Sequence, residues 1–404
     1  MLKTSKLIIL GNGFDLACGL KSKYADFFEK RISEDLNNCL KRAYQGFKDN
    51  FNYKTIDDPT FRFKTIYDVR NNYAKNKGEV NPFDIKIIVL NDSDIEILKN
   101  SDLTFWDVVL YYFQTNIGEE VDDIDWRAVE DRILNFLNDT NIDKPCLTYM
   151  LDTINHFDDL DMKNWFCLYL AEILSEGKKI PEDFIEYLYQ ELRLFESEFI
   201  NFLNEEVVSN GDYEKNATDL LLQIVSVGEV SDLFYQKYLS FNYTEPINSP
   251  YFNITNVHGT LKSRRIIFGI DQTKVNPLEE IYRFTKTFRQ MTETSIAKRS
   301  DELILPRKEE INEIAFFGHS LSKLDYSYFQ TIFDFYDLYS SDVTLAFYYR
   351  LYDGVTNLEM ELDLSKKISS MLKDYSPSIG NENKADNLMH KLLLEKRLVI
   401  EEIS

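Results

Sequence analysis

The apolar pattern of the chain opens with a short buried strand and a glycine-rich turn. Residues 6–10 are Lys-Leu-Ile-Ile-Leu, and Gly11 and Gly13 follow this run closely. Ser22 is a candidate N-cap for a helix, because apolar side chains recur after it at the spacing of one helical face. That face carries Tyr24, Phe27, Phe28 and Ile32. A strand that leads through a glycine turn into a helix predicts the opening unit of a doubly wound α/β domain.

Beyond that unit the pattern changes twice. Residues 45–100 are irregular and rich in Asn, Lys and Asp, and they define no elements. Residues 103–226 have apolar positions at helical spacing and few glycines, which predicts a helical segment. The α/β pattern returns near residue 236. Strand candidates there are residues 238–241, 253–257, 265–268, 311–317 and 343–349.

This order predicts an α/β fold with a Rossmann-like, mostly parallel sheet that is split by a large helical insertion. We expect the nucleotide-binding core to consist of residues 1–44 and 230–404. The mainly helical insertion is expected to span residues 45–229. One split core explains the order of elements better than two domains in series, since the α/β pattern stops after the first unit and then resumes.

Composition adds a substantial core and a strongly acidic balance of charge. The 404 residues are 44% hydrophobic and include 29 Phe and 25 Tyr, which argues against disorder. Lys and Arg number 46 against 68 Asp and Glu, so the formal net charge is -22. Such a charge repels phosphate backbones and disfavours direct nucleic-acid binding. An anionic ligand has to be held by local groups, such as backbone N–H groups.

The cysteines and the apolar runs favour a cytoplasmic protein. The cysteines are Cys18, Cys39, Cys146 and Cys167, and none of them forms a Cys-x-x-Cys pair. This scatter argues against a zinc module or a disulfide scaffold and fits a reducing compartment. The first residues lack the apolar region of a signal peptide, and no run reaches the ~18 apolar residues of a spanning helix. We expect neither a metal site nor a membrane association.

The turn after the first strand is the first candidate for ligand binding. It consists of Gly11, Asn12, Gly13, Phe14 and Asp15. Glycines let the backbone approach a pyrophosphate, which the N–H groups of the following helix then bind. The spacing is not G-x-G-x-x-G, so an ordinary tight turn with Asp15 as N-cap is an equal alternative. For Asp15 we prefer contact with ribose hydroxyls, or ordering of the loop, to contact with phosphate.

Two polar residues follow the next strand candidates along the chain. Asn242 comes at the end of residues 238–241, and His258 precedes Gly259 after residues 253–257. Strand ends collect ligands in open α/β sheets, so both are expected to converge on the crevice of the glycine turn. His258 is suited to act as a base near neutral pH. The alternatives are a hydrogen-bonded core histidine and an asparagine that caps a turn.

Glycine also follows two later strand candidates. Gly269 comes after residues 265–268, and Gly318, His319 and Ser320 come after residues 311–317. A side chain at either glycine would obstruct a ligand, and Ser320 offers a hydroxyl and backbone N–H groups to ribose or phosphate. The alternative is that these glycines belong to ordinary turns between a strand and a helix.

Together these segments resemble the AbiH family of bacterial phage abortive-infection proteins. The opening at residues 7–20 carries the resemblance most specifically. The other markers are residues 126–130, 241–244, 258–259 and 317–321. The resemblance implies a role in phage defence.

AbiH proteins are in turn similar to the sirtuin-type NAD-binding fold. Sirtuins carry a glycine turn, an Asn-bearing strand end, His-Gly, Phe-Gly and Gly-Thr-Ser in that order, and this chain has comparable residues in the same order. The similarity implies that Asn242 positions the water or ribose that attacks the nicotinamide-bearing carbon, and that His258 is the general base toward a ribose hydroxyl. The implied ligand contacts are Gly11, Asn12, Gly13, Phe14, Asp15, Gly259, Gly269, Gly318, His319 and Ser320.

The chain departs from the sirtuin pattern at several positions. Asp15 stands where sirtuins have a small hydroxyl residue, Phe241 where they have Gln, and Thr244 where they have Asp. The zinc-binding cysteines of deacylating sirtuins are missing as well, so NAD hydrolysis or nucleotide sensing is preferred to protein deacylation. Glu130 either points into the cleft as an extra carboxylate or lies on a solvated helix face.

Three functions follow from these observations. The first is a phage-defence effector, a toxin that binds NAD or a related nucleotide as substrate and hydrolyses it. The alternative is a catalytically inactive nucleotide-binding sensor or scaffold, which the departures favour. A nuclease-type toxin comes third, because the acidic charge and the lack of a compact metal cluster oppose it. The expected partners are the dinucleotide, a phage-derived trigger and further copies of the chain.

Overall fold

The computed structural model describes residues 5–56, 92–114, 126–139, 166–167, 170, 174, 184–298, 303–352, 354–380 and 382–403. The chain divides into two compact units. The first unit consists of Met1–Ser22, Ile200–Ile267 and Arg289–Ser404, and the second consists of Lys23–Phe199 and Phe268–Phe288.

A parallel sheet forms the first unit. The strands are β1 (Ser5–Leu10), β2 (Lys237–Ser240), β3 (Ile254–Asn256), β4 (Gly259–Thr260), β5 (Arg265–Ile266), β6 (Ile311–Phe317), β7 (Thr344–Tyr349) and β8 (Leu398–Glu402). Strands β4 and β5 form an antiparallel hairpin, and the other six form one parallel sheet in the order β3-β2-β1-β6-β7-β8. Numbered within that sheet the order is 3-2-1-4-5-6, as in doubly wound dinucleotide-binding folds. The predicted Rossmann-like, mostly parallel sheet is confirmed.

Helices make up most of the remaining described chain. They are α1 (Asn12–Ala17), α2 (Tyr24–Arg31), α3 (Glu34–Ile56), α4 (Asp92–Lys99), α5 (Phe105–Gln114), α6 (Trp126–Asp139), α7 (Phe184–Ser209), α8 (Tyr213–Val225), α9 (Val230–Leu233), α10 (Lys286–Glu293), α11 (Tyr326–Phe335), α12 (Asn357–Tyr375) and α13 (Glu382–Leu394). Short 3-10 turns lie at Gln272–Lys274, Glu280–Phe284, Lys308–Glu310, Lys323–Asp325 and Ser376–Ile379. None of the described helices is both long and apolar enough to cross a membrane.

Strand β1 lies at the centre of the sheet and is buried on both faces. Alternate side chains of this strand belong to two different hydrophobic cores, which explains its uninterrupted apolar sequence. Its register brings Leu10 level with Ser240 of β2 and with Phe317 of β6. Three neighbouring strands therefore end at one level, and the residues that follow them lie side by side.

Helix α8 packs on this sheet, although it falls within the predicted insertion of residues 45–229. Its residues Ala217, Leu221 and Ile224 share a core with Leu10 of β1. The first compact unit begins and ends at residues that differ from those of the predicted core, which was expected to consist of residues 1–44 and 230–404. Hydrophobic periodicity shows that a helix has an apolar face, but it does not show which element covers that face.

Other predicted elements differ in detail. Of residues 265–268 only Arg265–Ile266 is a strand, and it belongs to the hairpin instead of the parallel sheet. Between β5 and β6 the chain forms the 3-10 turn at Glu280–Phe284, which α10 follows. The late strands over residues 311–317 and 343–349 are confirmed as β6 and β7. Most of residues 45–100 and Cys146 lie outside the described residues.

Candidate functional site

The carboxyl ends of the central strands bring most of the predicted site residues together. The glycine turn follows β1, Asn242 follows β2, and His258 follows β3. Gly318, His319 and Ser320 follow β6, which is the neighbour of β1 on the other side. All of these residues belong to the first unit. Gly269 and Glu130, by contrast, belong to the second unit.

The glycine turn is packed directly against the loop after β6. The N–H of Gly11 donates to the carbonyl of Phe317 at 3.1 Å, and the N–H of Gly13 donates to the carbonyl of Gly318 at 2.8 Å. A Cβ at Gly318 would lie 2.3 Å from the nitrogen of Phe14, and the φ of Gly318 is +68°. The close approach that these glycines allow is therefore between two protein segments. A pyrophosphate would compete with two protein carbonyls for the N–H groups.

The other side chains of the turn are engaged by the protein. Phe14 is buried, and its ring is edge-on to Phe317 with centroids 6.2 Å apart. The hydroxyl of Ser22 donates to Oδ1 of Asn12 at 2.7 Å. Ser22 thus orders the turn, whereas the N-cap of α2 is Lys23.

Asp15 lies in α1 and is 2% exposed. Its carboxylate accepts a hydrogen bond from the hydroxyl of Tyr213 at 2.7 Å and one from the hydroxyl of Thr244 at 2.9 Å. Burial raises the pKa of Asp15 to about 6, although the hydrogen bonds from Tyr213 and Thr244 lower it. Of the two roles that the sequence left open, ribose contact and loop ordering, these contacts are those of loop ordering.

Asp15 and Thr244 form one hydrogen-bonded pair. The hydroxyl of Thr244 lies 2.9 Å from each of the two carboxylate oxygens of Asp15. This pair joins the segment after β2 to α1.

Asn242 is held by its neighbours on three sides. Its side-chain Nδ2 donates to the carbonyl of Gly11 at 3.0 Å. Its backbone N–H donates to the hydroxyl of Ser240 at 3.1 Å, and its backbone carbonyl accepts from Nδ2 of Asn256 at 2.8 Å. Asn242 thus caps the glycine turn, as the alternative interpretation of the sequence proposed.

The carbonyl oxygen of the Asn242 side chain has a different environment. Asn242 is 5% exposed, and its buried Oδ1 forms no hydrogen bond with any described residue. Because Nδ2 donates to the carbonyl of Gly11, the orientation of the amide is determined by its surroundings. Oδ1 is thereby left as a buried acceptor, which is rare in folded proteins.

His258 is enclosed by aromatic rings. It is 7% exposed, and its ring is edge-on to Phe241 at 5.7 Å and to Tyr328 at 6.1 Å between centroids. Nε2 of Gln290 donates to the hydroxyl of Tyr328 and, at 2.8 Å, to the carbonyl of Val257. Tyr328 and Gln290 are residues that the sequence did not single out, because they come from α11 and α10, far along the chain.

Gly259, the residue after His258, is required by the hairpin. Its φ is +87°, and a Cβ there would lie 2.2 Å from the carbonyl oxygen of Arg265. This crowding explains the glycine without a ligand.

The loop after β6 leaves one predicted residue open to solvent. Nδ1 of His319 accepts from the N–H of Leu321 at 3.0 Å, so the proton of the neutral ring is on Nε2, 3.6 Å from the Asp325 carboxylate. The His319 ring also lies 4.5 Å from the ring of Phe241. Ser320 is exposed. Of this segment, only Ser320 has a side chain that faces solvent.

In the second unit Gly269 and Glu130 have structural neighbours of their own. A Cβ at Gly269 would lie 2.9 Å from both the nitrogen of Lys286 and the carbonyl oxygen of Phe284. Glu130 forms an ion pair of 2.6 Å with Lys286, and both side chains are 9% exposed. The solvated helix face that the sequence allowed for Glu130 is therefore wrong.

The described residues contain no group of three or more His, Cys, Asp or Glu side chains that could hold a metal ion. The arrangement at the strand ends is instead one of amide, hydroxyl, imidazole and aromatic groups around Asn242 and His258. Such groups are suited to hydrogen-bond a polar organic ligand and to exclude water from it.

A family model described as bacteriophage abortive infection AbiH matches residues 7–349 of the chain. The match includes the glycine turn, Asn242, His258 and the loop after β6. No curated protein matches the chain, and no solved structure matches it. The similarity to sirtuins therefore stays a prediction. The chain belongs to the AbiH family of bacteriophage abortive infection proteins.

Proposed function

We propose that the chain acts in abortive infection by binding NAD or a related nucleotide at the carboxyl ends of β1, β2, β3 and β6 and by hydrolysing it. Membership of the AbiH family supports the abortive-infection role. The 3-2-1-4-5-6 order of the sheet supports the location, because ligands of such sheets bind where the strand order reverses. The reversal lies between β1 and β6, beside the glycine turn.

The buried Oδ1 of Asn242 is the observation that carries the proposal. A buried acceptor without a donor costs about 1–3 kcal/mol. A water molecule or a ribose hydroxyl would supply the donor. Because Nδ2 of the same amide is bound to the carbonyl of Gly11 at 3.0 Å, Oδ1 is fixed relative to the glycine turn. A ligand that spans the turn and Asn242 would satisfy this oxygen.

Hydrolysis at this site would break the bond between the ribose C1′ and the nicotinamide nitrogen. The bonding electrons leave with nicotinamide, which is uncharged once released, so no strong acid is needed. A water oriented by Asn242 forms the new C1′–O bond and releases one proton. His258 would act as base toward a ribose hydroxyl, which stabilises the oxocarbenium-like transition state. The rings of Phe241 and Tyr328 beside His258 would keep bulk water out.

Nicotinamide release tests this activity. Purified protein is incubated with NAD, with and without extract of phage-infected cells, and the products are followed by mass spectrometry. We expect Asn242→Ala and His258→Ala each to lose about 100-fold or more in rate. The matched controls are Asn248→Ala and His390→Ala, which change exposed residues of the same types. Full activity in both site variants would refute the catalytic assignment.

A sensor that binds the nucleotide without turnover is the second candidate. The observation that favours it is that the N–H groups of Gly11 and Gly13 are bonded to the loop after β6. Phosphate binding at these groups would release that loop, so occupancy would be coupled to a conformational change. Calorimetry with NAD distinguishes the two candidates, because a sensor binds the ligand and returns it intact.

A further inference from the structure

We propose that the outer edge of β8 binds the same edge of a second copy of this chain, with a two-fold axis at Val399 that joins the two sheets into one. The interface is a surface of the first unit and goes beyond the proposed function, since it does not depend on any nucleotide. It consists of β8, of Lys396 before it, and of exposed apolar side chains at both ends of β8.

The last strand of the parallel sheet has an outer edge that no other described strand covers. Strand β8 pairs with β7 and ends the order of the sheet. The carbonyl of Arg397 accepts from the N–H of Leu345 of β7 at 2.8 Å, so odd-numbered residues direct their backbone polar groups toward β7. Because this direction alternates along a strand, the N–H and C=O groups of Leu398, Ile400 and Glu402 face outward.

This edge lacks the features that keep natural sheet edges from pairing. Such edges are protected by Lys or Pro, by bulges, or by very short strands. Strand β8 has five residues without Lys or Pro, and its register with β7 is regular. Its first three residues, Leu398, Val399 and Ile400, are apolar and only partly buried. The edge is therefore a template for one more strand.

A second copy fits because the edge is complementary to itself. With the axis at Val399, an antiparallel pairing sets Leu398 of each copy opposite Ile400 of the other, and each such pair exchanges both of its N–H···O bonds. The same register sets the ammonium of Lys396 opposite the carboxylate of Glu402. Both of these side chains are exposed, so they can pair across the interface with little desolvation.

Other registers lose this complementarity. An axis at Ile400 would set Leu398 opposite the Glu402 carboxylate, and an axis at Glu401 would set that carboxylate opposite its own copy. A parallel pairing in register would bring Glu401 and Glu402 level with the same residues of the second copy. Like charges directly opposite each other are destabilising, so the charges select the axis at Val399.

Exposed leucines lie at both ends of β8. Leu394 ends α13 shortly before β8 and is 86% exposed. At the other end Glu402 is level with Tyr349, whose hydroxyl donates to Glu361 of α12 at 3.3 Å. The start of α12 is thus beside this end of β8, and Leu358 there is 74% exposed.

The two-fold axis brings these leucines toward each other. Helices α12 and α13 both pack on the same core, which covers one face of the sheet. An axis perpendicular to the sheet keeps that face on the same side in both copies, and antiparallel strands set the start of one beside the end of the other. Leu394 of each copy would therefore approach Leu358 of the other and be removed from water.

The mass of the full chain in solution and a disulfide trap test the interface. Light scattering should give a mass that rises from 47.6 kDa toward twice that value, with a Kd of about 10 µM, as for a small interface. In Val399→Cys the two thiols would lie opposite each other with Cα atoms about 4.5 Å apart, within reach of a disulfide. Oxidised glutathione, which takes up the two electrons, should convert this variant into a covalent dimer.

Two controls accompany the disulfide trap. Val208→Cys places a thiol at a residue of α7 that is 83% exposed and lies outside the proposed interface, so it should not cross-link. The unaltered protein, in which Cys18, Cys39 and Cys167 are buried, is oxidised in parallel and should stay uncross-linked.

Charge reversal tests the register in solution without any cross-link. At about 0.15 M salt, Lys396→Glu and Glu402→Lys should each weaken the dimer about tenfold, since the two-fold axis doubles the effect of one pair. The variant that carries both changes restores opposite charges and should dimerise within about threefold of the unaltered protein. Lys215→Glu alters the net charge as Lys396→Glu does, at an exposed residue of α8, and should change the Kd by less than about twofold.

Three results would overturn the proposal. The first is a chain that stays monomeric at about 200 µM, well above the expected Kd. The second is a dimer that Val399→Cys does not trap, or that the combined exchange of Lys396 and Glu402 does not restore, because assembly then uses another surface. The third is a monomer whose β8 edge instead binds a different protein from phage-infected cells.

Discussion

Replacing Asp15 by Asn should change the way in which the stability of the protein depends on pH. The carboxyl is buried, and burial raises its pKa from 3.8 to about 6. The folded state therefore holds the proton of Asp15 more tightly than the unfolded state does. The resulting stability is fully present below pH 3.8 and is lost as the pH rises through about 6. Asparagine carries no such proton, so Asp15→Asn lacks this contribution at every pH.

The magnitude follows from the difference between the two pKa values. A shift from 3.8 to about 6 corresponds to about 3 kcal/mol over the whole window. The sequence pI is about 4.7, and association near that pH limits the usable range. Between about pH 7.5 and about pH 5.2 the unaltered protein should gain about 1 kcal/mol relative to the variant. The gain steepens below pH 6 toward about 1.4 kcal/mol per pH unit.

Urea unfolding of both proteins at several pH values in this range measures the effect. The difference between their free energies of unfolding is the informative quantity, because all other titrations are common to both proteins and cancel. Parallel stability profiles from pH 7.5 to 5.2 would show that the carboxyl is not buried as described. A loss of relative stability of the unaltered protein on acidification would reverse the sign and would refute the reasoning.

Three further effects are expected. Gly318→Ala introduces a Cβ 2.3 Å from the backbone nitrogen of Phe14, at a residue whose φ is +68°. Thermal unfolding should therefore show that the variant loses more than about 2 kcal/mol in its free energy of unfolding. Gly354→Ala adds a Cβ at a φ of +84° where it meets no described residue within 4 Å beyond its chain neighbours, so this variant should lose only about 1 kcal/mol in stability. Glu130→Gln removes the negative charge of the buried ion pair with Lys286 at 2.6 Å, so urea unfolding should show a loss of about 3 kcal/mol in stability. The double variant Glu130→Gln with Lys286→Met should lose less. Glu359 forms a capping box with Thr356 at the start of α12, and hydrogen bonds from the backbone and side chain of Thr356 lower the pKa of Glu359. The unaltered protein loses this stabilisation as the pH falls through the lowered pKa, so the stability of Glu359→Gln should then approach that of the unaltered protein.

Local patterns in the sequence were sufficient to predict the secondary-structure elements around the site. The apolar run of residues 6–10 predicts a strand buried on both faces, and a strand with that environment belongs in the middle of a parallel sheet. The glycine spacing after it predicts a tight turn with Asp15 as the N-cap of the next helix. In the structure helix α1 begins at Asn12 with Gly11 as its N-cap, so the position of Asp15 as N-cap is wrong. Both predictions depend on residues that are close in the chain, where periodicity and backbone conformation are encoded.

The roles of single side chains depended on partners far away in the chain. Asp15 meets Tyr213 across 198 positions and Thr244 across 229 positions. No local pattern indicates such a pairing, which arises because β1 and β2 are neighbours and α8 packs beside them. The same holds for His258, whose environment is made by Phe241 and by Tyr328 of α11.

The glycine turn shows most clearly what the sequence determines and what the tertiary structure determines. The sequence by itself determined that the backbone after β1 must turn tightly and approach another group closely. Only the tertiary structure decided that the group is the loop after β6, with Gly318 bonded to Gly13 at 2.8 Å. It also decided that Asn242 donates from Nδ2 to the turn and that no described residue donates to its Oδ1. A sequence specifies which backbone can come close and which atoms can bond, but the register of the sheet specifies which atoms meet.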